Sequence, residues 1–187
     1  MARSGDVSVG RLVITVSGRH GTGKSTHARR LAKALGIRYV SAGIMFRQMA
    51  EERGVTLEEL SRLADESPEL DRLVDERTRR EARKGGVVID GALSGWIVDH
   101  ADLKVFLTAP LEARIRRIAA RDGITVDEAK EATLLREEIE RERFKRYYGI
   151  DLSDLSIYDL VLNTDLFDAD GTARILKKVV DEYYSGG

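Results

Sequence analysis

The chain has 187 residues, 42% of them hydrophobic, which is enough for one domain with a sizeable core. Its 31 basic and 32 acidic residues leave a net charge of −1, and so balanced a surface argues against nucleic acid as a main partner. There is no cysteine, hence no disulfide framework or thiolate metal site, and His20, His27 and His100 are too scattered to suggest zinc.

Met1–Gly10 lacks the apolar segment of a secretory signal and reads as a loose extension before a single domain over 11–187. Arg11–Ser17 is apolar and β-branched between Gly10 and Gly18, the pattern of a buried strand. A helix follows over Lys24–Leu35, with Ala28, Leu31, Ala32 and Leu35 on one face and Gly36 as its stop. Arg38–Val40 is a short second strand and Gly43–Arg53 a helix. Thr56 opens the next helix, with Glu59 at capping-box spacing. Ser67-Pro68 supplies an N-cap and a proline at the first helical position, and Glu69 places a carboxylate where the helix dipole favours it. That helix runs to about Lys84 and stops at Gly85-Gly86. Val87–Asp90 and Leu103–Thr108 are the third and fourth strands. Helices over Leu111–Asp122 and Val126–Tyr148 come next, the second capped by Thr125. Leu160–Asn163 is the last strand, and a closing helix over Thr172–Tyr184 packs through Ala173, Leu176, Val180 and Tyr183. No apolar run approaches the roughly 20 residues that span a bilayer, so a cytoplasmic protein without a membrane partner is expected.

Strands separated by helices predict an α/β fold: a parallel five-stranded sheet covered on both faces, binding ligands at the carboxyl ends of its strands. Those ends are Ser17/Gly18, Ser41, Asp90 and Thr108. At the first of them, Gly18-Arg19-His20-Gly21-Thr22-Gly23-Lys24-Ser25 fits G-x-x-x-x-G-K-[ST] between a strand and a helix, as a phosphate-binding loop must. Glycines let the backbone curl until successive N–H groups form an anion nest, and the following helix adds its positive end. The segment Gly18–Thr26 is therefore expected to wrap the phosphates of ATP. Lys24 would reach the β- and γ-phosphates, and the Ser25 hydroxyl would bind Mg²⁺. His20 lies where backbone rather than side chain faces phosphate, and reads as a loop residue, not a base.

A GTPase switch would need Asn-Lys-x-Asp and Asp-x-x-Gly; Asn163-Thr164-Asp165 fails the first and Asp90-Gly91-Ala92-Leu93 the second. An ABC-type signature loop is absent as well. A small-molecule kinase remains, beside a nucleotide-binding ATPase without an acceptor.

Beyond the phosphate loop, the sequence resembles the short archaeal cytidylate kinases, within the nucleoside monophosphate kinases. The resemblance runs from Leu12 to Val180. It rests on Val40-Ser41-Ala42-Gly43 with Phe46-Arg47, on Gly91 to Gly95-Trp96, and on Leu107-Thr108-Ala109-Pro110-Leu111. It continues in Tyr148-Gly149-Ile150-Asp151 and Asp154-Leu155-Ser156-Ile157-Tyr158-Asp159-Leu160. It implies an adenylate-kinase-like core with an acceptor-binding helical segment over 41–84 and a lid over 122–150. The implied reaction is ATP with CMP or dCMP giving ADP with CDP or dCDP; a monomer is expected.

Phosphoryl transfer between nucleotides concentrates negative charge, so guanidinium groups should converge on it. The resemblance implies that Ser41, Gly43, Arg47, Asp90 and Gly91 serve the acceptor, with Arg47 on its phosphate. Position alone leaves Arg47 an exposed helical arginine and Asp90 a strand-end turn residue. Arg114, Arg117 and Arg121 share one helical stripe apart from Leu111, Ile115 and Ile118, and a solvated face is the plain reading of it. The resemblance instead lays Arg117 against adenine and brings Arg121 to the ATP phosphates. Arg136, Glu140 and Arg143 form a second stripe, which i,i+4 pairing in a heat-adapted protein would also explain. As the lid of such a kinase, Arg136 would close on the transferring phosphates while Glu140 and Arg143 touch the acceptor ribose and base. Related kinases often carry arginine where this chain has Ala92; either Arg38 or Arg53 replaces it, or the acceptor differs, with AMP, UMP or a small metabolite in the place of CMP.

Overall fold

The computed structural model describes residues 9–185. Most of the expected N-terminal extension therefore lies outside the described residues, and Val9–Arg11 forms one turn of 3-10 helix. Five parallel strands follow: β1 (Val13–Gly18), β2 (Arg38–Ser41), β3 (Val87–Asp90), β4 (Leu103–Thr108) and β5 (Leu160–Asn163). They are ordered β2-β3-β1-β4-β5, so β1 lies at the centre and is buried along its whole length. Val13 pairs in register with Val87, and Ile14 with Leu103.

Alternation along β1 separates two cores, as a period of two requires. Ile14 and Val16 point, with Val105 and Leu107, toward Ala28 and Leu31 of α1 (Lys24–Leu35) and Leu176 and Val180 of α8 (Ala169–Ser185). Val13, Val87 and Ile89 pack against Ala82 of α4 (Glu69–Arg83) and against Val98 and Ala101. The sheet is thus covered on both faces. A satellite core of Met49, Ala50, Leu60 and Val74 ties α2 (Ala42–Arg53) and α3 (Leu57–Glu66) to α4. The remaining helices are α5 (Ser94–Ile97), α6 (Leu111–Asp122) and α7 (Val126–Tyr148). Among the described residues no helix is long and apolar enough to cross a membrane.

Local chemistry sets the boundaries. Thr56 and Thr125 each close a capping box, with Glu59 and Glu128. The Ser67 hydroxyl accepts from the Glu69 amide at 3.3 Å while Pro68 has helical dihedrals, so Ser67 caps α4 as its sequence suggests. The closing helix begins three residues before Thr172 at Ala169, and Asp168 Oδ1 accepts the Gly171 amide at 2.6 Å. Tyr183 does not pack as expected: it is 39% exposed, whereas Thr172 is fully buried. Residue spacing does not foretell α5. Within it Gly95 lets the Tyr158 ring come close, since a Cβ there would stand 2.5 Å from Cε1.

Arg38 cannot replace the arginine absent at Ala92. It opens β2 at the amino end of the sheet and donates to the carbonyls of Glu81 (3.0 Å) and Gly85 (2.9 Å), closing the C-terminus of α4. Ala92 itself borders an apolar cluster of Leu93, Ile97 and Phe144. Arg53 lies in the last turn of α2, remote from Ser41.

Candidate active site

The phosphate loop takes the conformation its glycines permit. Gly18, Gly21 and Gly23 have φ of 146°, 78° and 84°, and a Cβ on Gly21 would stand 2.6 Å from the Arg114 carbonyl. Lys24 Nζ folds back onto the Arg19 carbonyl at 2.8 Å, and the buried Thr22 hydroxyl donates to the same oxygen at 2.8 Å. Burial lowers the Lys24 amine to about 8, and the nearby Arg136 adds to the effect, while Asp90, Glu140 and Glu137 oppose it. An anionic ligand at this corner would return the proton affinity that burial removes.

Ser25, exposed at the start of α1, donates to Asp90 Oδ2 at 2.5 Å. Asp90 is 2% exposed, yet its second oxygen, Oδ1, has no hydrogen-bond partner among the described residues. An orphaned buried carboxylate oxygen is costly unless something else satisfies it. A hydroxyl beside a carboxylate, next to a phosphate nest, is the oxygen set that Mg²⁺ accepts when phosphates supply the rest. Among the described residues no group of three or more His, Cys, Asp or Glu is arranged so that it could hold a metal ion by itself.

Around this centre the expected residues fall into three groups. The first is gathered. His20, Arg136 and Glu140 meet the phosphate loop: Arg136 Nε donates to Glu140 Oε1 at 2.9 Å, and Glu140 Oε2 lies 2.8 Å from His20 Nε2. Glu140 is held at about 2, because burial, which would raise it, is outweighed by contact with His20 and Arg136. Its folded-state value is depressed, so its stabilisation is present above the usual 4.5 and disappears as pH falls through that value toward about 2. Glu140→Gln should cost about 3 kcal/mol at neutral pH and flatten the acid limb of stability. Urea midpoints measured from pH 7 to pH 2 check this; parallel curves for both proteins would refute it.

The second group flanks the centre. Arg117 donates to the Thr164 hydroxyl (3.0 Å), the Thr164 carbonyl (3.1 Å) and Asp165 (3.0 Å), so it joins α6 to the turn after β5. Ser41 caps α2 by accepting the Ile44 amide at 3.3 Å, and stands in register with Asp90. Gly91 packs on Ala42, whose Cβ lies 2.9 Å from an added Cβ. Arg47 is exposed, its Nη1 lies over Gly43, and it has no ion-pair partner among the described residues. Thr26 and the Arg19 side chain are exposed.

The third group is occupied elsewhere. Arg121 forks onto its neighbour Asp122 at 2.6 and 2.7 Å. Arg143 is buried against Asp71, with Nε 3.1 Å from Oδ2, and so fastens α7 to α4. Burial lifts the Asp71 carboxyl to about 6 in spite of Arg143. The same end of α7 is tied down by Tyr148 on Asp75 (2.5 Å) and by Arg146 and Tyr147 on the Asp65 carbonyl (2.8 and 2.7 Å).

Two residues gain importance only in the structure. Arg114 turns inward instead of joining a solvated face; it is 4% exposed and donates to the His20 carbonyl at 2.9 Å and to Glu137 at 2.6 Å. Glu137 in turn accepts the His20 amide at 3.1 Å. The one available signal was that Arg114 sits between Ala113 and Ile115, both core residues.

Comparison with known proteins gives the chain its relatives. The model of the cytidylate kinase-like family matches residues 13–166. A cytidylate kinase of Staphylothermus marinus is 47% identical over 92% of this chain and 98% of its own length. That of Pyrococcus furiosus is 49% identical, over 92% and 90%. Among solved structures, a shikimate kinase from Bacteroides thetaiotaomicron superposes with a TM-score of 0.63 at 18% identity, covering 91% of this chain and 98% of that one; this likeness concerns the fold alone.

Proposed function

The chain belongs to the cytidylate kinase-like family, and from that premise we propose that it transfers the γ-phosphoryl group of ATP to CMP, and also to dCMP, as a monomer. The observation that carries the reading is the convergence of the phosphate loop, the Ser25–Asp90 pair and the lid residue Arg136 at the carboxyl edge of the sheet. On this reading 41–84 is the acceptor-binding segment and 122–150 the lid.

ATP lies with its phosphates in the Gly18–Thr26 loop and its base near Arg117. Ser25, with Asp90 behind it, would hold Mg²⁺, whose charge would offset that of the phosphates. The acceptor enters over Ser41, Gly43, Asp90 and Gly91. Arg47, without an ion-pair partner among the described residues, takes its phosphate. An oxygen of that phosphate, already anionic at neutral pH, attacks the γ-phosphorus in line. The bond from γ-phosphorus to the bridging oxygen breaks, and the electron pair leaves with ADP. No base is required. Lys24 and Arg136 offset the charge of the transition state; Arg121 joins them after exchanging Asp122 for phosphate. Arg143, seated against Asp71, lines the acceptor side of the lid, and Glu140 holds its phosphate-loop side.

The deciding experiment measures ADP release and diphosphate formation with CMP, dCMP, UMP and AMP in parallel. CDP and dCDP should form fastest. Faster turnover of AMP or UMP would reassign the acceptor, and ATP hydrolysis without any diphosphate product would mark an ATPase instead.

A further inference from the structure

His20 is gripped on three sides by two helices. Its peptide N–H donates to Glu137, its carbonyl accepts from Arg114, and its ring Nε2 meets Glu140 at 3.1, 2.9 and 2.8 Å respectively. The carboxylates are not surface groups: the side chains of Glu137 and Glu140 are 16% and 14% exposed. Two acids beside a triphosphate site would repel the substrate unless neutralised. Arg114 neutralises the first, and Arg136 with the His20 hydrogen bond neutralises the second. Contacts of this kind differ from the exposed Glu138–Arg141 pair of the same helix, which has no hydrogen bond outside the helix among the described residues.

The arrangement has a direction. Arg136 commits only Nε to Glu140; its terminal nitrogens have no partner among the described residues, and its charge is felt at Lys24. Glu140 therefore links the third residue of the phosphate loop to the one lid arginine that stands ready for phosphate. We propose that His20 and Glu140 are positioning residues: their clasp seats α7 on the phosphate loop and aims Arg136 at the phosphoryl group in transit. The proposal rests on the kinase reading. It assigns His20 a task that its place in the loop did not suggest, and it gives Glu140 a partner other than the acceptor.

A clasp acts on closure, not on nucleotide affinity, because the loop backbone and Lys24 remain. Loosened, the lid should both slow transfer and admit water to ATP. Glutamine at position 20 can still donate an N–H across the gap, whereas alanine cannot. A probe of closure is built in: Trp96, the only tryptophan, packs in the cluster that holds Phe144 and Tyr148 of α7.

The test compares the wild type with His20→Ala, His20→Gln, Glu140→Ala and the double alanine variant. His20→Ala should lower kcat for CDP formation by about 10- to 50-fold and change the ATP KM by less than about 3-fold. It should also raise the share of ATP hydrolysed without product. His20→Gln should recover most of the rate, and the double variant should be no slower than Glu140→Ala alone, as expected for one shared interaction. The change in Trp96 emission on adding Mg-ATP should shrink in His20→Ala and return in His20→Gln; melting temperatures show whether each variant is folded. Wild-type turnover in His20→Ala, a loss confined to the ATP KM, or multiplied effects in the double variant would each overturn the clasp. A wild-type protein that phosphorylates no acceptor would instead overturn the kinase reading, and Trp96 emission would still judge the clasp.

Discussion

Lys24→Ala should yield a folded protein whose kcat/KM is reduced at least about 10³-fold, the cost of losing a preorganised cation at the charge being transferred. The same change should not lower the stability of the nucleotide-free protein. Burial brings the Lys24 amine down to about 8, so at neutral pH the fold carries a charge that it disfavours. For a base with a depressed value the penalty is present below about 8 and vanishes above the usual 10.5, so removing the side chain relieves it over the whole physiological range. Against this stands the loss of one hydrogen bond to the Arg19 carbonyl. Thermal melts should therefore show a midpoint equal to or slightly above that of the wild type. Added Mg-ATP should raise the wild-type midpoint far more than the variant's, because ligand stabilisation follows affinity. A folded Lys24→Ala protein within tenfold of normal turnover would remove the phosphate loop from the chemistry.

Asp90→Asn tests the other half of the centre. The substitution keeps shape and burial but replaces one carboxylate oxygen by an N–H₂ donor, next to the Ser25 hydroxyl that now donates to it. If the unpartnered Oδ1 faces the shell of a bound cation, the exchange presents a donor where an acceptor is needed. The Mg²⁺ concentration for half-maximal rate should rise about 10- to 100-fold, as for other losses behind a metal. The rate at saturating Mg²⁺ should fall about 10²-fold. Titration of activity against Mg²⁺ at fixed ATP separates the two effects. An unchanged Mg²⁺ dependence would confine Asp90 to holding Ser25.

The phosphate loop was legible from sequence because its function lies in the backbone, and the backbone is written in glycine spacing: Gly18, Gly21 and Gly23 all adopt the positive φ they alone allow easily. Helix starts were legible for a related reason, since Thr56–Glu59 and Thr125–Glu128 close their contacts within four residues. Side-chain partnerships across the fold were not. Arg114 and Arg121 share a helical stripe, yet one is buried against a loop 94 residues earlier in the chain and the other faces its own neighbour. Periodicity reports which face of a helix is polar; it does not report what that face meets. Arg38 shows the same limit, for composition cannot distinguish a guanidinium awaiting phosphate from one spread over the carbonyls at a helix end. Family resemblance identified Arg136, Glu140 and Arg143 together, but the geometry sends Arg143 to Asp71 and the other two to the phosphate loop.

That division of labour along α7 has a mechanical corollary. The helix runs unbroken from Val126 to Tyr148, with one footing at Glu137 and Glu140 and another at Arg143 to Tyr148. At 1.5 Å per residue the outermost footings are roughly 16 Å apart, so a 10° tilt about one would move the other by about 3 Å, more than a hydrogen bond tolerates. A stiff rod with two anchors behaves as a seesaw, and on the proposed kinase reading the donor and acceptor sides would share a single gate. Titrations in which one nucleotide left the grip on the other untouched would mean that the rod bends.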